Sequence, residues 1–405
     1  MIKQQKLLLN IKQDGLVVLE ELERSKIPLV SKVVSDNYIG QATKNFDYKF
    51  NGENKFYPFL LPECLNDLDF NILCIVGSSG SGKSVMAQQY FGQEKEINWD
   101  NNKAIISNFS SICDEKEAVE RLSAVGLNSI PTWCKPRNVL SVGEGFRADL
   151  AMKISNNCVI DEFTSTIDRN VAKSCSMSIG KYVRKKGLKK CVFVSCHKDF
   201  IDYLKPDYII DLDEGYLYDA RGLPQPSTKL SIYNITSKDK IWRLFAKHHY
   251  LSANINKSSR CYVAYIDNDI VGFISILPFP SGTVDNAWRC HRLVVLPDYQ
   301  GLGVGKALLN YFANLIVKED CIFYIRTSHP KMYNMLYKDE RWEETGRSDT
   351  ISPSAFIGSH WKAKDNIAYS FKYIGKYKQC GDKNVHIVKH KYKKKYKQLN
   401  MFDIA

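Results

Sequence analysis

Short apolar runs that end in glycine or in charged residues organise the first half of the chain. Ile72–Val76 is entirely apolar and predicts a buried strand. It enters a glycine-rich turn, Gly77–Gly82, and an amphipathic helix is predicted from Ser84 onward. Two more buried strands are predicted at 158–162, which ends in two carboxylates, and at 191–197, which ends in histidine. Buried strands that alternate with helices indicate an α/β fold class.

Weaker patterns surround this core. Residues 1–70 mix polar turns with β-rich runs such as 29–34 and 55–61, which predict a small antiparallel layer. After the glycine turn, the pattern predicts a short strand over 103–109 and a helix over 114–125.

The pattern starts again after Leu223-Pro-Gln-Pro-Ser227, whose prolines and serine predict a linker. A second glycine-rich loop, Gln300–Gly305, leads from a strand into a helix. The predicted strands are 230–235, 261–266, 270–277, 293–296, 321–326, 342–346 and 368–374. The predicted helices are 238–251, 307–317 and 331–337. We therefore expect two domains, 1–225 and 228–376, and a basic Lys/Tyr-rich tail over 377–405.

Composition indicates the class of partner. A chain of 405 residues is too long for one typical core, in agreement with two domains. The net charge of +13 favours a polyanionic partner, nucleic acid in particular, although basic proteins without such a partner are common. The 12 cysteines contain no C-x-x-C pair, and neither a long apolar stretch nor an export signal is visible. We expect a cytoplasmic protein with reduced thiols, no membrane segment and no zinc site.

The first glycine turn has the spacing of a phosphate-binding loop. The stretch Gly77-Ser-Ser-Gly-Ser-Gly-Lys-Ser84 matches G-x-x-x-x-G-K-[ST] between a strand and a helix. Successive backbone N–H groups converge on phosphate oxygens where side chains are small. Lys83 is predicted to neutralise phosphate charge, and the Ser84 hydroxyl to ligate Mg²⁺. The predicted nucleotide-binding residues of this loop are Gly77, Ser78, Gly80, Ser81, Gly82, Lys83 and Ser84.

Charged residues at later strand ends supply the rest of this chemistry. Asp161 is predicted to hold Mg²⁺ together with the last serine of the loop, and Glu162 to polarise the attacking water. His197, at the next strand end, is predicted to sense the terminal phosphate. Ser141 and Gly143 open another helix and predict a second anion cradle. An acidic strand end that merely faces solvent is the alternative for Glu162.

In this order the segments resemble the ABC ATPase family. The likeness rests on residues 77–84, Leu140-Ser-Val-Gly-Glu-Gly-Phe-Arg147, 158–162, Asp168 and His197. It covers about residues 70–215 and implies an ATPase that binds ATP and Mg²⁺. It also implies a homodimer that sandwiches ATP between the glycine turn of one subunit and the 140–147 stretch of the other. Two features depart from the family: the segment between these motifs is short, and Asn108 stands where a glutamine is usual.

The second glycine loop has a different context. Gln300-Gly-Leu-Gly-Val-Gly305 follows a strand that ends in Val294-Val-Leu-Pro297, and two antiparallel-looking strands precede it. A dinucleotide-binding loop, the alternative, needs G-x-G-x-x-G early in a βαβ unit, and that spacing is absent. The segment resembles the pyrophosphate loop of the GNAT acetyltransferases, which implies a GNAT α+β acyltransferase domain that binds acetyl-CoA or another acyl-CoA. The implied cofactor-binding residues are Leu293, Val294, Val295, Gln300, Gly301, Gly303, Val304, Gly305 and Lys306.

Acyl transfer to an amine needs a base for the amine and an acid for the departing thiolate. By the GNAT resemblance, Tyr337 stands where many members place the tyrosine that protonates the thiol, with core packing as the alternative. His291 stands where the family often keeps a base, with a satisfied strand histidine as the alternative. His248, His249 and Tyr250 are candidates to line the acceptor pocket, with a place on a helix face or in a loop turn as the alternative for each.

The nature of the acceptor is the most open question. Residues 245–250 and 291–292 are also similar to the Mom-type branch of this superfamily, phage enzymes that add a modified acyl group to adenine in DNA. The tail Lys389–Lys397 interleaves lysines with tyrosines, a pattern that suits phosphate contacts and base stacking, although a solvated tail has the same composition. The ABC-plus-GNAT arrangement resembles two-domain proteins of phages and prokaryotes.

The leading hypothesis is an ATP-hydrolysing ABC ATPase coupled to a GNAT-type N-acyltransferase that acts on nucleic acid, DNA more than RNA. One alternative is an acetyltransferase for a protein amine or small metabolite that the ATPase regulates. Another is a non-catalytic binding module switched by ATP.

Overall fold

The computed structural model divides the chain into two compact units, Met1–Pro226 and Ser227–Ala405. The structure describes residues 12–13, 15–44, 48, 50–224, 229–249, 254–266, 268–279, 286–348, 368–375 and 385–387. Tyr250 and the basic tail over 389–397 lie outside the described residues. In the described part of the chain, no helix is long and apolar enough to cross a membrane.

The first unit is built on a seven-stranded sheet. Its strands, together with a separate two-stranded ribbon, are β1 (Lys12–Gln13), β2 (Leu16–Glu21), β3 (Leu29–Lys32), β4 (Glu53–Phe56), β5 (Ile72–Val76), β6 (Val159–Ile160), β7 (Cys191–Ser195), β8 (Tyr208–Asp211) and β9 (Tyr216–Asp219). The sheet order is β1-β2-β9-β8-β5-β7-β6, and β3 pairs with β4. Strands β8, β5, β7 and β6 are parallel, while β9, β2 and β1 add an antiparallel edge.

Eight helices of this unit lie in the described residues. They are α1 (Asn37–Thr43), α2 (Lys83–Phe91), α3 (Ile105–Asn108), α4 (Glu115–Ala124), α5 (Ile130–Trp133), α6 (Val142–Lys153), α7 (Arg169–Lys186) and α8 (Ile201–Leu204). Short 3₁₀ turns occupy Glu63–Asp67, Phe109–Ser111 and Arg137–Val139.

Strand β5 is buried on both faces, as its unbroken apolar sequence predicts. Ile72, Cys74 and Val76 belong to one core, and Leu73 and Ile75 to the core on the other side of the sheet. Side chains of a strand alternate between faces, so both cores are fixed by one five-residue run.

Two predictions for this unit are wrong in detail. The strand predicted over 103–109 is helix α3 followed by a 3₁₀ turn. Ile105 and Phe109, four positions apart, are both fully buried in the same core, and this spacing places them on one helix face. The strand predicted over 158–162 is extended only at Val159–Ile160. It ends there because Glu162 has a φ of 48°, which is incompatible with a strand.

The second unit is an eight-stranded sheet. Its strands are β10 (Leu230–Asn234), β11 (Arg260–Ile266), β12 (Asp269–Pro278), β13 (Ala287–Val295), β14 (Ile322–Thr327), β15 (Trp342–Ser348), β16 (Ala368–Tyr373) and β17 (Val385–Ile387). The sheet order is β15-β16-β14-β13-β12-β11-β10-β17. The helices are α9 (Lys238–Ala246), α10 (Val304–Lys318) and α11 (Pro330–Tyr337), and a 3₁₀ turn covers Pro297–Tyr299. Helix α9 is shorter than the predicted 238–251, and β13 is longer than the predicted 293–296.

The middle of this sheet opens into a cleft. Strands β13 and β14 are parallel and pair only through Ala287–Arg289 and Ile322–Tyr324. Beyond Arg289, β13 pairs with β12 alone among the described strands, so its other edge has no strand partner there. The register of β12 and β13 shifts after Ser275, and His291 is the extra residue of the resulting β-bulge.

Candidate functional site

The first glycine turn lies at a strand-to-helix junction, between β5 and α2. Gly80 and Gly82 have φ values of 78° and 99°, a region that side chains rarely adopt. A Cβ at Gly82 would lie 2.6 Å from the ring of Phe56, and a Cβ at Gly77 would lie 2.8 Å from the Ser81 hydroxyl. The backbone conformation therefore favours glycine at 77 and 82, and a larger residue at either position would also have to displace a neighbouring side chain.

Helix α2 begins with no side chain capping its amide groups. Gly82 precedes it without a side-chain hydrogen bond, so backbone N–H groups remain for an anion. Lys83 is buried, and its ammonium donates to the Ser78 carbonyl at 2.8 Å. The buried Ser81 hydroxyl has no partner in the described part of the chain. Ser84, the residue after Lys83, is exposed. These residues fit a phosphate chain: loop amides, one lysine charge and two hydroxyls converge on one turn.

Asp213 is a partner of this loop that the sequence did not indicate. Its carboxylate accepts from both the Ser78 N–H and the Ser78 hydroxyl, each at 2.8 Å. The backbone hydrogen bond from Ser78 is the main reason that the pKa of Asp213 is lowered. This carboxylate occupies the Ser78 donors that were predicted to bind phosphate. No short motif connects the two residues, because they are 135 positions apart.

The carboxylate pair after β6 lies on a strained corner. The Glu162 N–H donates to Asp161 Oδ1 at 2.8 Å, and the Ser165 hydroxyl donates to Glu162 Oε2 at 2.6 Å. Glu162 and Thr164 have φ values of 48° and 69°. Such values cost about 1–3 kcal/mol each and occur preferentially at functional sites, a β-branched threonine being especially unusual. Glu162 is exposed, and the Asp161 N–H donates to Glu94 Oε1 at 3.1 Å.

Ser195 connects His197 to this corner. Its buried hydroxyl donates to the Phe163 carbonyl at 2.7 Å and accepts from the His197 N–H at 3.1 Å. Strand β7 lies between β5 and β6, so the loop that carries His197 lies between the glycine turn and the carboxylates. The sheet therefore brings three predicted site segments, 77–84, 161–162 and 197, to one edge.

The predicted anion cradle at Ser141 is engaged within its own helix. The Ser141 hydroxyl caps α6 by accepting from the Glu144 N–H at 3.3 Å, and Glu144 accepts from the Ser141 N–H at 3.0 Å. Gly143, the second residue of α6, is half-buried. The Asn108 amide is likewise engaged locally, accepting from Asp100 at 2.9 Å and donating to Ala104 at 3.0 Å.

The second glycine loop also lies at a strand-to-helix junction, between β13 and α10. Gly301 and Gly303 have φ values of 97° and 86°, and Gly303 precedes α10 without a side-chain cap. The first amides of this 15-residue helix, from Val304, Gly305 and Lys306, therefore have no side-chain acceptor supplied by the cap. This is the arrangement that a pyrophosphate needs.

The hydrogen-bond register of β13 shows which backbone groups face the cleft. The Leu296 N–H donates to the Val271 carbonyl at 2.9 Å. Hydrogen-bonded and non-hydrogen-bonded pairs alternate along an antiparallel ladder, so Val294 bonds to β12, while Leu293 and Val295 face away from β12. The Gln300 side chain reaches back to the Val295 carbonyl at 2.9 Å. Leu293 thus presents its N–H and carbonyl on the open edge and Val295 its N–H, while Val294 contributes its buried side chain to the core.

Lys306 is bound within the protein. Its ammonium lies 3.0 Å from Asp339, which also accepts from Arg341 at 2.7 Å. The two cations hold the pKa of Asp339 well below its usual range, with the hydrogen bond from Arg341 as the largest cause. Lys306 therefore connects the start of α10 to the segment before β15.

His291 projects from the β-bulge of β13. Its Nε2 accepts from the Asn256 N–H at 3.3 Å, so the nitrogen that would take a proton from an amine already has a partner. Burial, with a smaller contribution from Arg292, lowers the pKa of His291 to about 4. Burial and Arg292 likewise lower the pKa of His249 to about 4. Both imidazoles are neutral at pH 7.

Tyr337 is the last residue of α11 and is 65% exposed, which argues against core packing. Its ring stacks on Tyr333 with 5.6 Å between centroids. Ser275 is a residue that the sequence did not indicate: its hydroxyl is fully buried, has no partner among the described residues, and lies opposite Arg292 across β12 and β13. His248 is exposed.

Comparison with known families gives a match within the second unit. Residues 257–339 match the family model described as "Acetyltransferase (GNAT) domain". These residues form a GNAT acetyltransferase domain. The GNAT resemblance predicted from Gln300–Gly305 is thus confirmed, and the matched segment contains His291, the glycine loop and Tyr337. No curated protein sequence matches the chain.

Several of the solved structures that match part of this chain are described as acetyltransferases. The ribosomal-protein-S18-alanine N-acetyltransferase from Escherichia coli is 14% identical, with a TM-score of 0.29 over 36% of this chain and 92% of that one. An acetyltransferase from Bacillus subtilis in complex with CoA is 15% identical, with a TM-score of 0.30 over 36% and 98%. A GNAT family acetyltransferase from Elizabethkingia anophelis with acetyl-CoA bound is 16% identical, with a TM-score of 0.30 over 36% and 97%. The family assignment of residues 257–339 rests on the family model.

Proposed function

We propose that the second unit is an N-acetyltransferase that uses acetyl-CoA. The observation that carries this proposal is the open edge of β13, which leads directly into the uncapped start of α10. An acyl-CoA has an amide-containing arm that can hydrogen-bond to a strand edge and a pyrophosphate that can bind helix amides, in this order. Leu293 and Val295 offer the strand edge for the arm, and residues 301–306 offer the helix amides for the pyrophosphate.

In the proposed reaction the acceptor amine attacks the thioester carbonyl carbon, a C–N bond forms, and the C–S bond breaks. The amine loses one proton and the departing thiolate gains one. The exposed phenol of Tyr337 is the proposed acid. His291 is neutral at pH 7 and is the proposed base, once the acceptor or a water replaces the Asn256 N–H at Nε2.

The test is binding and turnover of acetyl-CoA by the full chain. Calorimetry with acetyl-CoA should give one site, and Gly303→Val should weaken it at least tenfold because a β-branched residue is strained at φ 86°. Gly346→Val is the matched control, since Gly346 lies in β15, has open space around it and has no positive φ. An intact, folded chain that fails to bind acetyl-CoA would contradict the proposal and favour the non-catalytic alternative.

We further propose that the first unit is an ABC-type ATPase. This proposal is supported by the glycine turn, Lys83, the 161–162 carboxylates and His197 at one sheet edge. Ser84 and Asp161 are the proposed Mg²⁺ ligands, and the ion would neutralise charge on the phosphates. Glu162 is proposed to polarise the attacking water, and Ser141 of a second copy to complete the site.

Glu162→Gln tests the ATPase proposal. The amide keeps the shape of the side chain but removes its basicity, so we expect hydrolysis to fall at least a hundredfold while ATP binding persists. ATP should then trap a dimer that is visible by size-exclusion chromatography with light scattering. Asp202→Asn, an exposed carboxylate on α8, is the control. Unchanged hydrolysis in the Glu162 variant would refute the assignment.

For the acceptor, we propose nucleic acid, DNA before RNA. The support is the net charge of +13 and the Mom-type similarity around His291. Incubation with labelled acetyl-CoA, ATP-Mg²⁺ and a mixture of DNA, RNA and protein distinguishes the possibilities by where the label is found. Label confined to protein or to small amines would favour the alternative acceptor classes.

A further inference from the structure

A cavity of about 550 Å³ lies in the first unit, far from the residues assigned to ATP along the strands. Its lining includes Lys181, Arg184, Tyr203, Lys205, Asp207 and Arg221. Asp207 comes just before β8, and its N–H donates to the Ile72 carbonyl at 2.9 Å, at the start of β5. The glycine turn follows the other end of β5. The cavity therefore lies at the amino-terminal edge of the parallel strands, and the proposed ATP site at the carboxyl-terminal edge.

Some of the charged groups in the cavity are used to hold it together. Arg184 donates to the Leu204 carbonyl at 3.3 Å and lies 3.7 Å from Asp207 Oδ1. The other Asp207 oxygen accepts from the Asn71 and Ile72 N–H groups at 2.8 and 2.9 Å. Arg221 pairs with Asp219. Each arginine of the cavity is thus paired with a carboxylate, so the remaining positive charge comes from the two lysines.

Lys181 and Lys205 take part in no ion pair within the described ranges. They come from different elements, α7 and the end of α8, which Gly180 brings together: a Cβ at Gly180 would lie 2.4 Å from the Leu204 carbonyl. Lys205 donates to the Leu223 carbonyl at 3.3 Å. Burial lowers the pKa of both lysines, and Arg184 lowers that of Lys205 further. Lys181 is exposed and Lys205 half-buried, and two like charges that line one concave surface favour an anion between them.

The charge continues beyond the cavity along the same edge. Helix α7 ends in Arg184, Lys185 and Lys186, and Lys189 and Lys190 immediately precede β7. Glu117 and Glu120 pair with Lys185 and Lys186, and Asp69 pairs with Lys189. Positive and negative side chains therefore alternate along this edge, and its surface is not uniformly positive. Lys190 is exposed and shares in no ion pair of the described residues. A compact anion needs only the cavity, whereas spaced cations along an edge suit a ligand with repeating charges.

We propose that this edge binds the backbone of a single-stranded nucleic acid, with phosphates at Lys181 and Lys205 and a base against Tyr203. The aromatic ring in the lining supplies a stacking surface beside the cations, the combination that single strands use. The site depends neither on acetyl transfer nor on ATP hydrolysis, and it places the polyanion on the opposite sheet edge from the glycine turn.

The experiment measures fluorescence anisotropy of a labelled single-stranded oligodeoxynucleotide with the full chain, without ATP or acetyl-CoA. The double variant Lys181→Ala/Lys205→Ala is compared with Lys26→Ala/Lys116→Ala, which removes two exposed charges elsewhere in the unit. At 0.1 M salt we expect the Kd of the first variant to rise about tenfold, and its plot of log Kobs against log salt to become shallower by about 1.4, the value for two lost phosphate contacts. The control should match the parent, and circular dichroism should show both variants folded.

Three results would overturn the proposal. One is a parent protein that does not bind the strand. Another is an equal loss of affinity in the two double variants, which would indicate general attraction to a basic protein that includes the tail. The third is displacement of the strand by inorganic phosphate at matched ionic strength, which would make the cavity a small-anion site. None of these results bears on the acetyl-CoA experiment, so the two proposals can fail separately.

Discussion

Single residues with unusual environments mark both proposed catalytic centres. On the ATPase side these are the left-handed Glu162 and Thr164 and the buried Ser195. On the acetyltransferase side they are the neutral His291 in a bulge and the buried Ser275, whose hydroxyl has no partner among the described residues. Strain and unsatisfied polar groups cost stability, so their presence at these positions is consistent with the roles proposed for them.

The titration of His291 gives a prediction at this scale. Its pKa of about 4 means that kcat/KM for acetyl transfer should stay flat from pH 8 to 6, without the inflection near 6.5 of an ordinary histidine, and fall only toward pH 4. His291→Ala should lower kcat/KM about a hundredfold, whereas the exposed His248→Ala should not. A pH–rate profile of the parent with its inflection near 6.5 would contradict this assignment.

The same pKa has a consequence for stability. The folded state binds the His291 proton more weakly than the unfolded state, whose pKa is near 6.5. Between these values the unfolded state holds more protons, so the free energy of unfolding should decrease as the pH falls from about 6.5 to 4. Urea unfolding at several pH values measures this, and His291→Ala should reduce the slope in that window.

Ser195 tests the link between the two strand ends. Ser195→Ala leaves the Phe163 carbonyl and the His197 N–H without their shared hydroxyl, and we expect a loss of about 1–3 kcal/mol of stability together with slower ATP hydrolysis. Ser176→Ala is the matched control, because that hydroxyl is equally buried but has no partner in the described residues. Equal losses in both variants would show that the bridge contributes nothing specific.

At the scale of elements, both proposed binding sites are a strand, a glycine turn and a helix. The turn after β5 is confined by its surroundings, while the turn before α10 is open: a Cβ at Gly303 would meet nothing within 4 Å. The first turn therefore depends on space and conformation, and the second on conformation alone.

A pair of glycine variants separates these two effects. Gly80 and Gly82 both have positive φ, but only a Cβ at Gly82 would collide with Phe56. We expect Gly80→Ala to cost about 1 kcal/mol of stability, and Gly82→Ala to cost more and to weaken ATP binding at least tenfold. Thermal unfolding and ATP titration measure the two quantities. Phe56→Ala in the Gly82→Ala background should recover part of the affinity; failure to do so would argue against the collision.

Elements were predicted from sequence where one pattern dominated. The strands β5 and β7 and the helices α4, α10 and α11 follow from unbroken apolar runs or helical spacing, and the structure confirms them. The sequence did not predict helix α3 because 103–109 is short, and its apolar residues at 104–106 and 109 fit either period. The contact of Ile105 and Phe109 with one core decided between them.

At the scale of the whole molecule, each unit has its own cores. The residues of the cores around Phe163 all belong to the first unit, and those around Phe312 to the second. We expect two calorimetric unfolding transitions. Phe163→Ala should lower the temperature of one transition and Phe312→Ala that of the other. Each substitution should cost about 3–5 kcal/mol of the free energy of unfolding of its own unit, as for other buried phenylalanines. A single transition that shifts with either variant would show that the units unfold together.

The sequence by itself determined the spacing of the two glycine-rich turns, the charged residues Asp161, Glu162 and His197 after two strands, and the match of residues 257–339 to the GNAT family model. These features are local: glycine spacing, apolar runs and adjacent charges are encoded within a few residues. The tertiary structure alone decided that Asp213 takes the Ser78 donors, that Lys306 pairs with Asp339, and that Lys181 and Lys205 meet at one sheet edge. These contacts join residues that are distant along the chain or on different elements, and strand order rather than local pattern brings them together.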